Sequence, residues 1–393
     1  MKILFVGSEK LQALGAVAAL HAMGHEIAFY PEPAESTGED EKHEERFGDF
    51  LCKNKVDFVL AHIFIPAIAR QTKKYEVKYA IYSMDSPMYT AWCEDAFQAK
   101  HCYLFYFDAK EYRMVKKLGC KNAYYLPLAA DFIQASNLVI TDDEIKKNQC
   151  DISFVGGLYS ENLYDVCVQD FPVRFQELFD AIMEGAAFRW DGGDRIAPFL
   201  TKEVIEVIKR ICPTLMEDLK RYGYNMPEAY YIKQRLFARK LTNIERTLLL
   251  NLLAEQYGLH LYTREREIVP PNIKRFPEIE HREAYKIFYS SKINLNITLR
   301  SIESGVPLRI FDIMSVGGFV LSNWQEEMTE LFEEDKEIVL FKTPEEMLEK
   351  IDYYLSHEKE RVRIGINGYQ KVKNCYTYEH QLNKIISILF PMP

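Results

Sequence analysis

Short apolar runs separated by stretches of helical spacing set the rhythm of the first part of the chain. Ile3–Val6, Glu26–Tyr30, Asp57–Ala61, Tyr79–Ser83 and Cys102–Phe107 have strand length, and Leu11–Met23 repeats apolar positions at helical intervals. Such alternation predicts a parallel sheet with crossover helices. A polar connector with Thr141-Asp142-Asp143-Glu144 and Lys146-Lys147-Asn148 then precedes a new strand at Asp151–Val155, so residues 1–148 form one domain and 149–376 a second. From Glu161 to Tyr257 the period is helical, broken at Asp191-Gly192-Gly193 and Pro213, which marks 161–257 as a helical insertion in the second domain.

Alternation returns with strands at Leu259–Thr263, Ile293–Ile297, Gly318–Ser322 and Ile338–Phe341, and helices at Arg282–Ser290, Leu308–Val316 and Pro344–Leu355. The fold class is α/β, with two Rossmann-like sheets. Two further helices, Glu358–Asn374 and Tyr378–Leu389, hold too few apolar positions to found a third domain. The acidic stretch Pro31–Arg46 reads as a loop running into a solvated helix.

A chain of 393 residues with 48% hydrophobic positions has material for two cores, since single cores stop growing near about 250–300 residues. The net charge of -9 gives no general attraction for phosphate backbones, so no nucleic-acid partner is expected. The eight cysteines show no paired spacing and read as reduced thiols. No apolar run approaches the roughly 18 residues of a membrane span. The start is too short for a signal segment. The expected location is cytoplasmic, with membrane contact only peripheral.

In doubly wound sheets ligands bind beyond the carboxyl ends of the strands. In the first domain Ser8, Glu9, His62, Asp85 and Asp108 follow strands, and a proton acceptor there suits a general base. Asp85, in Met84-Asp85-Ser86-Pro87, is the strongest candidate and His62 the next; a loop cap and a core histidine are their structural alternatives.

In the second domain a strand leads through Arg300 and Gly305 to Pro307 and a helix beginning at Leu308-Arg309-Ile310-Phe311-Asp312. Unbonded amides at a helix start favour anions. Arg309 adds a fork for a pyrophosphate, and Asp312 suits ribose hydroxyls; an Arg309–Asp312 surface pair explains the spacing equally well. The turn Gly156-Gly157 follows a strand and brings backbone within reach of a phosphate, although it is no GxGxxG and a plain tight turn also accounts for it. The donor-side set is therefore Arg300, Gly305, Leu308, Arg309, Phe311, Asp312, Gly156 and Gly157. No metal-ligand spacing occurs. Tyr222, Tyr224, Tyr230 and Tyr231 read first as core and second as stacking surfaces.

From Ile293-Asn294-Leu295-Asn296 through Arg309–Ser322, and on through Glu330-Leu331-Phe332 and Tyr376-Thr377-Tyr378-Glu379-His380, the sequence resembles the glycosyltransferase-like domain of the spore-maturation CgeB-type family. The resemblance implies a GT-B fold, with two domains facing across a cleft and the last helix, 377–393, crossing back to the first. It implies a nucleotide-sugar donor, UDP-sugar foremost, held by the second domain, and a glycan or protein acceptor on the side of the first. It also implies hexosyl transfer without metal or other cofactor, the diphosphate being met by Arg309 and the helix start. Asp312 stands where the family usually has Glu. Glu303 lies one residue too far from it for the carboxylate pair of glycogen-synthase-like retaining enzymes, so retaining stereochemistry is not implied. A nucleotide-sugar epimerase or hydrolase, or a non-catalytic sugar-binding assembly protein, fits the same residues. The insertion 161–257 is the expected seat of acceptor selectivity.

Overall fold

The structure is a computed structural model that describes residues 1–7, 11–32, 41–221, 225–265 and 273–391. Ser8, Glu9, Tyr222 and Tyr224 lie outside these. The chain forms two compact units, one made of Met1–Gln134, Asp218–Met226 and Cys375–Pro393, the other of Ala135–Glu217 and Pro227–Asn374.

In the first unit six parallel strands, β1 (Lys2–Gly7), β2 (Glu26–Pro31), β3 (Phe58–Ala61), β4 (Lys78–Tyr82), β5 (Cys102–Tyr106) and β6 (Ala123–Tyr125), lie in the order β2-β1-β3-β4-β5-β6. Because β1 from Ile3 onward and all of β3 are buried runs, they pair at the centre of the sheet, with Ile3 beside Phe58 and Val6 beside Ala61. The strand order reverses between them. The helix Tyr378–Leu389 belongs to this unit and packs on the helix Leu11–Ala22. Contact is close enough that a methyl group at Gly15 would stand 2.6 Å from Asp131 Oδ2 and 2.7 Å from the Tyr378 ring.

The second unit repeats the scheme with β7 (Cys150–Val155), β8 (Leu259–Tyr262), β9 (Lys274–Phe276), β10 (Ser291–Asn296), β11 (Val320–Asn323) and β12 (Val339–Phe341) in the order β12-β11-β10-β7-β8-β9, all parallel. Here the reversal falls between β7 and β10. Strand β10 carries a buried polar ladder. Asn294 accepts from the Ser153 hydroxyl at 2.9 Å and donates to the Phe288 carbonyl at 2.9 Å, while Asn296 donates to Ser322 Oγ at 2.9 Å. Each amide is paired, so the ladder fixes β10 between its neighbours at no desolvation penalty.

Four features depart from the expectation. Strands β6 and β9 are three-residue edges, too short to show a period. The polar connector contains a helix, Asp142–Asn148, started by a capping box between Thr141 and Glu144. Residues 135–148 group with the second unit, where Lys286 binds Glu144 at 2.8 Å. Within the insertion, Asp218–Met226 groups with the first unit, the Asn225 amide donating to the Trp92 carbonyl at 2.5 Å.

The helix Leu308–Ser315 ends on Gly317 at φ +77, whose amide bonds the Met314 carbonyl at 3.0 Å. The helix Glu358–Cys375 lies directly over that turn: a methyl group at Gly365 would be 2.6 Å from the Gly317 carbonyl oxygen, a backbone atom that cannot swing aside. Gly365→Ala therefore lowers stability by about 1–3 kcal/mol. Gly185→Ala, in the helix Val173–Ala186 with open space around the new methyl, raises it by about 0.4–1 kcal/mol. Unfolding midpoints that move in the same direction for both variants would refute this packing.

Candidate functional site

The strand order of the second unit reverses between β7 and β10, and the loops leaving their carboxyl ends are where such sheets bind ligands. One buried side chain spans them. Arg246 donates through Nη1 to the Gly157 carbonyl at 2.5 Å and through Nε to the Ile297 carbonyl at 3.0 Å. It lies over the rings of Phe154 and Tyr159, at 5.2 and 5.1 Å. Burial pulls its guanidinium below the ordinary value; Tyr159 opposes this and the positive charge of Arg309 adds to it. Two guanidinium groups thus repel each other at the strand ends.

Arg309 is in the first turn of the helix Leu308–Ser315, whose N-cap, Pro307, offers no side-chain cap. Its guanidinium is 3.7 Å from Asp312 and 5.1 Å from the centre of the Phe288 ring. Desolvation lowers its pKa, against the attraction of Asp312. Asp312 is buried, with Oδ2 3.0 Å from His281 Nε2 and Oδ1 accepting from the Tyr285 hydroxyl at 3.5 Å. The residue expected to meet ribose hydroxyls is thus already hydrogen-bonded by protein and holds Arg309 in place.

The loop between β10 and that helix runs along the helical stretch Glu228–Gln256, which supports it at intervals. Arg246 takes the Ile297 carbonyl, Thr242 Oγ1 accepts from the Arg300 amide at 2.9 Å, and Glu245 takes the Arg300 guanidinium, with Nε 2.9 Å from Oε2. Lys233 closes on Glu303, and Gln234 donates to the same carboxylate at 3.4 Å. Arg300, expected on the donor side, is spent on Glu245, the Arg189 carbonyl and the Trp190 ring. Phe311 is fully buried and packs toward Phe332 at 6.0 Å, a core contact. Gly305 is buried in the loop and Leu308 opens the helix.

The Gly156-Gly157 turn is held from below. The Gly156 amide bonds the Tyr262 carbonyl at 3.0 Å, and Glu265 accepts from the amides of Leu158 and Tyr159 at 2.8 and 3.0 Å. The amides of Gly156, Leu158 and Tyr159 are thereby occupied, and the turn sets the Gly157 carbonyl and the Tyr159 ring against Arg246. Tyr159 itself adopts φ +58, a conformation costly for a bulky residue unless its surroundings fix it. Arg246, Tyr159, Glu265 and Lys233 were not foreseen. The glycine turn marked the loop, but nothing in the sequence around Arg246 distinguishes it from the exposed face of a helix.

In the first unit His62 follows β3 at the reversal point. Its Nδ1 is 2.9 Å from the Tyr82 carbonyl, which fixes the proton on Nδ1 and leaves Nε2 a lone pair; Nε2 is buried without a partner. Burial lowers its pKa, opposed by that hydrogen bond and by the charge of Asp85. Asp85 is exposed, on a loop clamped from below by Glu111, which accepts from Ser86 Oγ at 3.0 Å, the Met88 amide at 2.8 Å and the Trp92 indole at 2.8 Å. Burial pushes the Glu111 carboxyl up to about 8, its three donors opposing and Asp108 adding to the rise. Asp108 is buried and caps the helix Ala109–Lys117. Tyr230 and Tyr231 are buried. Among the described residues no three His, Cys, Asp or Glu side chains gather as metal ligands, and no helix is long and apolar enough to cross a membrane.

Residues 202–387 match a family model described as glycosyl transferase-like. No curated protein sequence matches the chain. Among solved structures it is similar to a glycosyltransferase from Rickettsia africae ESF-5, 14% identical over 99% of this chain and 97% of that one, TM-score 0.53. It is similar to HepE of Anabaena in complex with UDP-glucose, 10% identical over 99% and 100% of the two chains, TM-score 0.55. A sucrose-phosphate synthase from Thermosynechococcus elongatus, 9% identical over 99% of both chains, gives 0.56. At these identities the likeness is one of fold: two parallel six-stranded α/β units of the GT-B class.

The contrast between the two arginines is measurable. Glu245 is fully buried, so Arg300→Ala strips its carboxylate of its cation and leaves it the Phe188 amide as a donor, which costs about 3–5 kcal/mol of stability, whereas Arg309→Ala leaves the Asp312 carboxylate with His281 and Tyr285 and costs clearly less. Equal losses would remove the distinction between scaffold and site.

Proposed function

We propose that the chain is a glycosyltransferase that binds the diphosphate of a nucleotide-sugar donor in the second unit and passes the glycosyl group to a hydroxyl acceptor on a glycan or protein. The observation that carries this reading is the pair of guanidinium groups at the strand-end loops, Arg246 bonded to the Gly157 and Ile297 carbonyls and Arg309 in the first turn of a helix without a side-chain cap, the charge of Arg309 acting against that of Arg246. An anion placed between them removes the repulsion and gains two charge-assisted donors. The family match of residues 202–387 and the likeness in fold to HepE, whose structure holds UDP-glucose, support a nucleotide sugar as that anion.

In the reaction the acceptor oxygen bonds the anomeric carbon as the bond from that carbon to the diphosphate oxygen breaks. The electron pair leaves with the diphosphate, where Arg309, Arg246 and the first amides of the Leu308–Ser315 helix meet the added charge. Within the first unit the candidate base for the acceptor proton is His62 Nε2, which is unprotonated because Nδ1 carries the ring proton and burial disfavours the cation.

A thermal-shift series with UDP, GDP, CDP, ADP and dTDP tests the donor site: one of them at 100 times its Kd stabilises the chain by about 2.7 kcal/mol, and Arg309→Ala abolishes the shift. No shift with any diphosphate refutes the reading.

The proposed base predicts a pH profile. Because the folded His62 pKa lies below 6.5, turnover falls only as pH drops below that value. His62→Gln costs about 10²–10⁴ in rate. Asp85→Asn keeps activity but shifts the acid limb lower, since the imidazolium loses a stabilising charge. Loss of turnover in Asp85→Asn with turnover retained in His62→Gln would make Asp85 the base.

A further inference from the structure

The stretch Glu228–Gln256 is interrupted by a π-helical turn, Lys233–Phe237. Such turns widen a helix by one residue and recur at functional sites. Here the turn brings two consecutive side chains, Lys233 and Gln234, onto the Glu303 carboxylate of the loop that ends at Arg309. Lys233 also pairs with Asp194 at 2.6 Å, whose side chain remains 42% exposed, so the cluster opens to solvent on that side. Gln234 is only 2% exposed, yet its Oε1 has no hydrogen-bond partner. A buried amide oxygen left unbonded is penalised, and the penalty disappears if a ligand hydroxyl donates to it.

We propose that this turn reads the glycosyl portion of the donor, with Gln234 Oε1 accepting from a sugar hydroxyl and Lys233 acting as a positioning residue that presents Glu303 to the same sugar. The inference rests on the donor reading above and deepens it. One loop then serves both ends of the donor: Arg309, at its far end, faces the diphosphate, and Glu303, supported by the π-turn, faces the sugar. The charges select the class of sugar. Asp194 and Glu303 outweigh the single ammonium of Lys233, so the cluster carries a net negative charge. It repels a uronate and suits a neutral, hydroxyl-rich glycosyl group, whose hydroxyls both donate to the carboxylates and the amide oxygen and accept from Lys233. The helical insertion, expected to choose the acceptor, in this account chooses the sugar.

Isothermal titration of the full chain with UDP, GDP, CDP, ADP and dTDP, each against its glucose conjugate, tests it, with UDP-glucuronate as the anionic probe. In the unaltered chain the glucose conjugate of one diphosphate binds at least ten times tighter than the diphosphate alone. In Gln234→Leu that ratio falls toward one while affinity for the bare diphosphate is kept, which also shows that the variant is folded. Lys233→Met lowers the same ratio and Lys233→Arg restores most of it. A ratio unchanged in Gln234→Leu, an equal loss for diphosphate and conjugate, or tighter binding of UDP-glucuronate than of UDP-glucose overturns the proposal while leaving the donor site standing. Absence of binding by every diphosphate overturns the donor reading and this inference with it.

Discussion

The carbonyls of Gly157 and Ile297 belong to the two loops that part company where the second sheet reverses its strand order, and a single buried guanidinium bonds both. Burying that charge is expensive, and neutral backbone oxygens repay only part of the cost. The rest of the site is arranged around making Arg246 tolerable: aromatic rings of Phe154 and Tyr159 lie against it, and Glu265 ties down the loop that carries Tyr159. The charge of Arg309 remains opposed to it. The loops at the reversal are thus held together by one side chain.

The first unit solves a related problem with a buried carboxyl that burial holds largely protonated. Its loop after β4 is drawn down onto Glu111, where three donors converge on one carboxyl and Asp108 stands beside it. In one unit a buried cation fixes the loops; in the other a buried carboxyl does. Both lie beneath the carboxyl ends of the strands, where side chains must be held still without filling the opening they border.

Most of the architecture was legible in the sequence because it rests on apolar runs with a clear period. The strand Ile293–Ile297 and the helix starting at Leu308 emerged within a residue of the observed Ser291–Asn296 and Leu308–Ser315 at the ends facing the site. The positions of Arg309 and Asp312 were legible for the same reason, since both lie in the helix that follows Pro307, but the partners His281 and Tyr285 that occupy Asp312 were not. Arg246 was not. It follows Glu245 in a helix whose charged positions look solvated, and only the burial of that helix between the β10 loop and the rest of the unit turns both residues inward. Arg300 misled because a guanidinium after a strand resembles a ligand group until its partner, 55 residues away in sequence, is known. Glu265 works through backbone amides, which leave no trace in residue type.

The route of the chain between the units has a consequence for how such a protein is inherited. The polypeptide passes from one unit to the other after Gln134, after Glu217, after Met226 and after Asn374. A gene fragment ending at residue 134 would therefore lack the helix that covers Leu11–Ala22, and one spanning 135–374 would carry a stranded Asp218–Met226 segment whose backbone partner, Trp92, had been left behind. Exchange of one half between related genes cannot be accomplished at a single crossover. Three separate segments of the first unit must travel together for its packing to be kept.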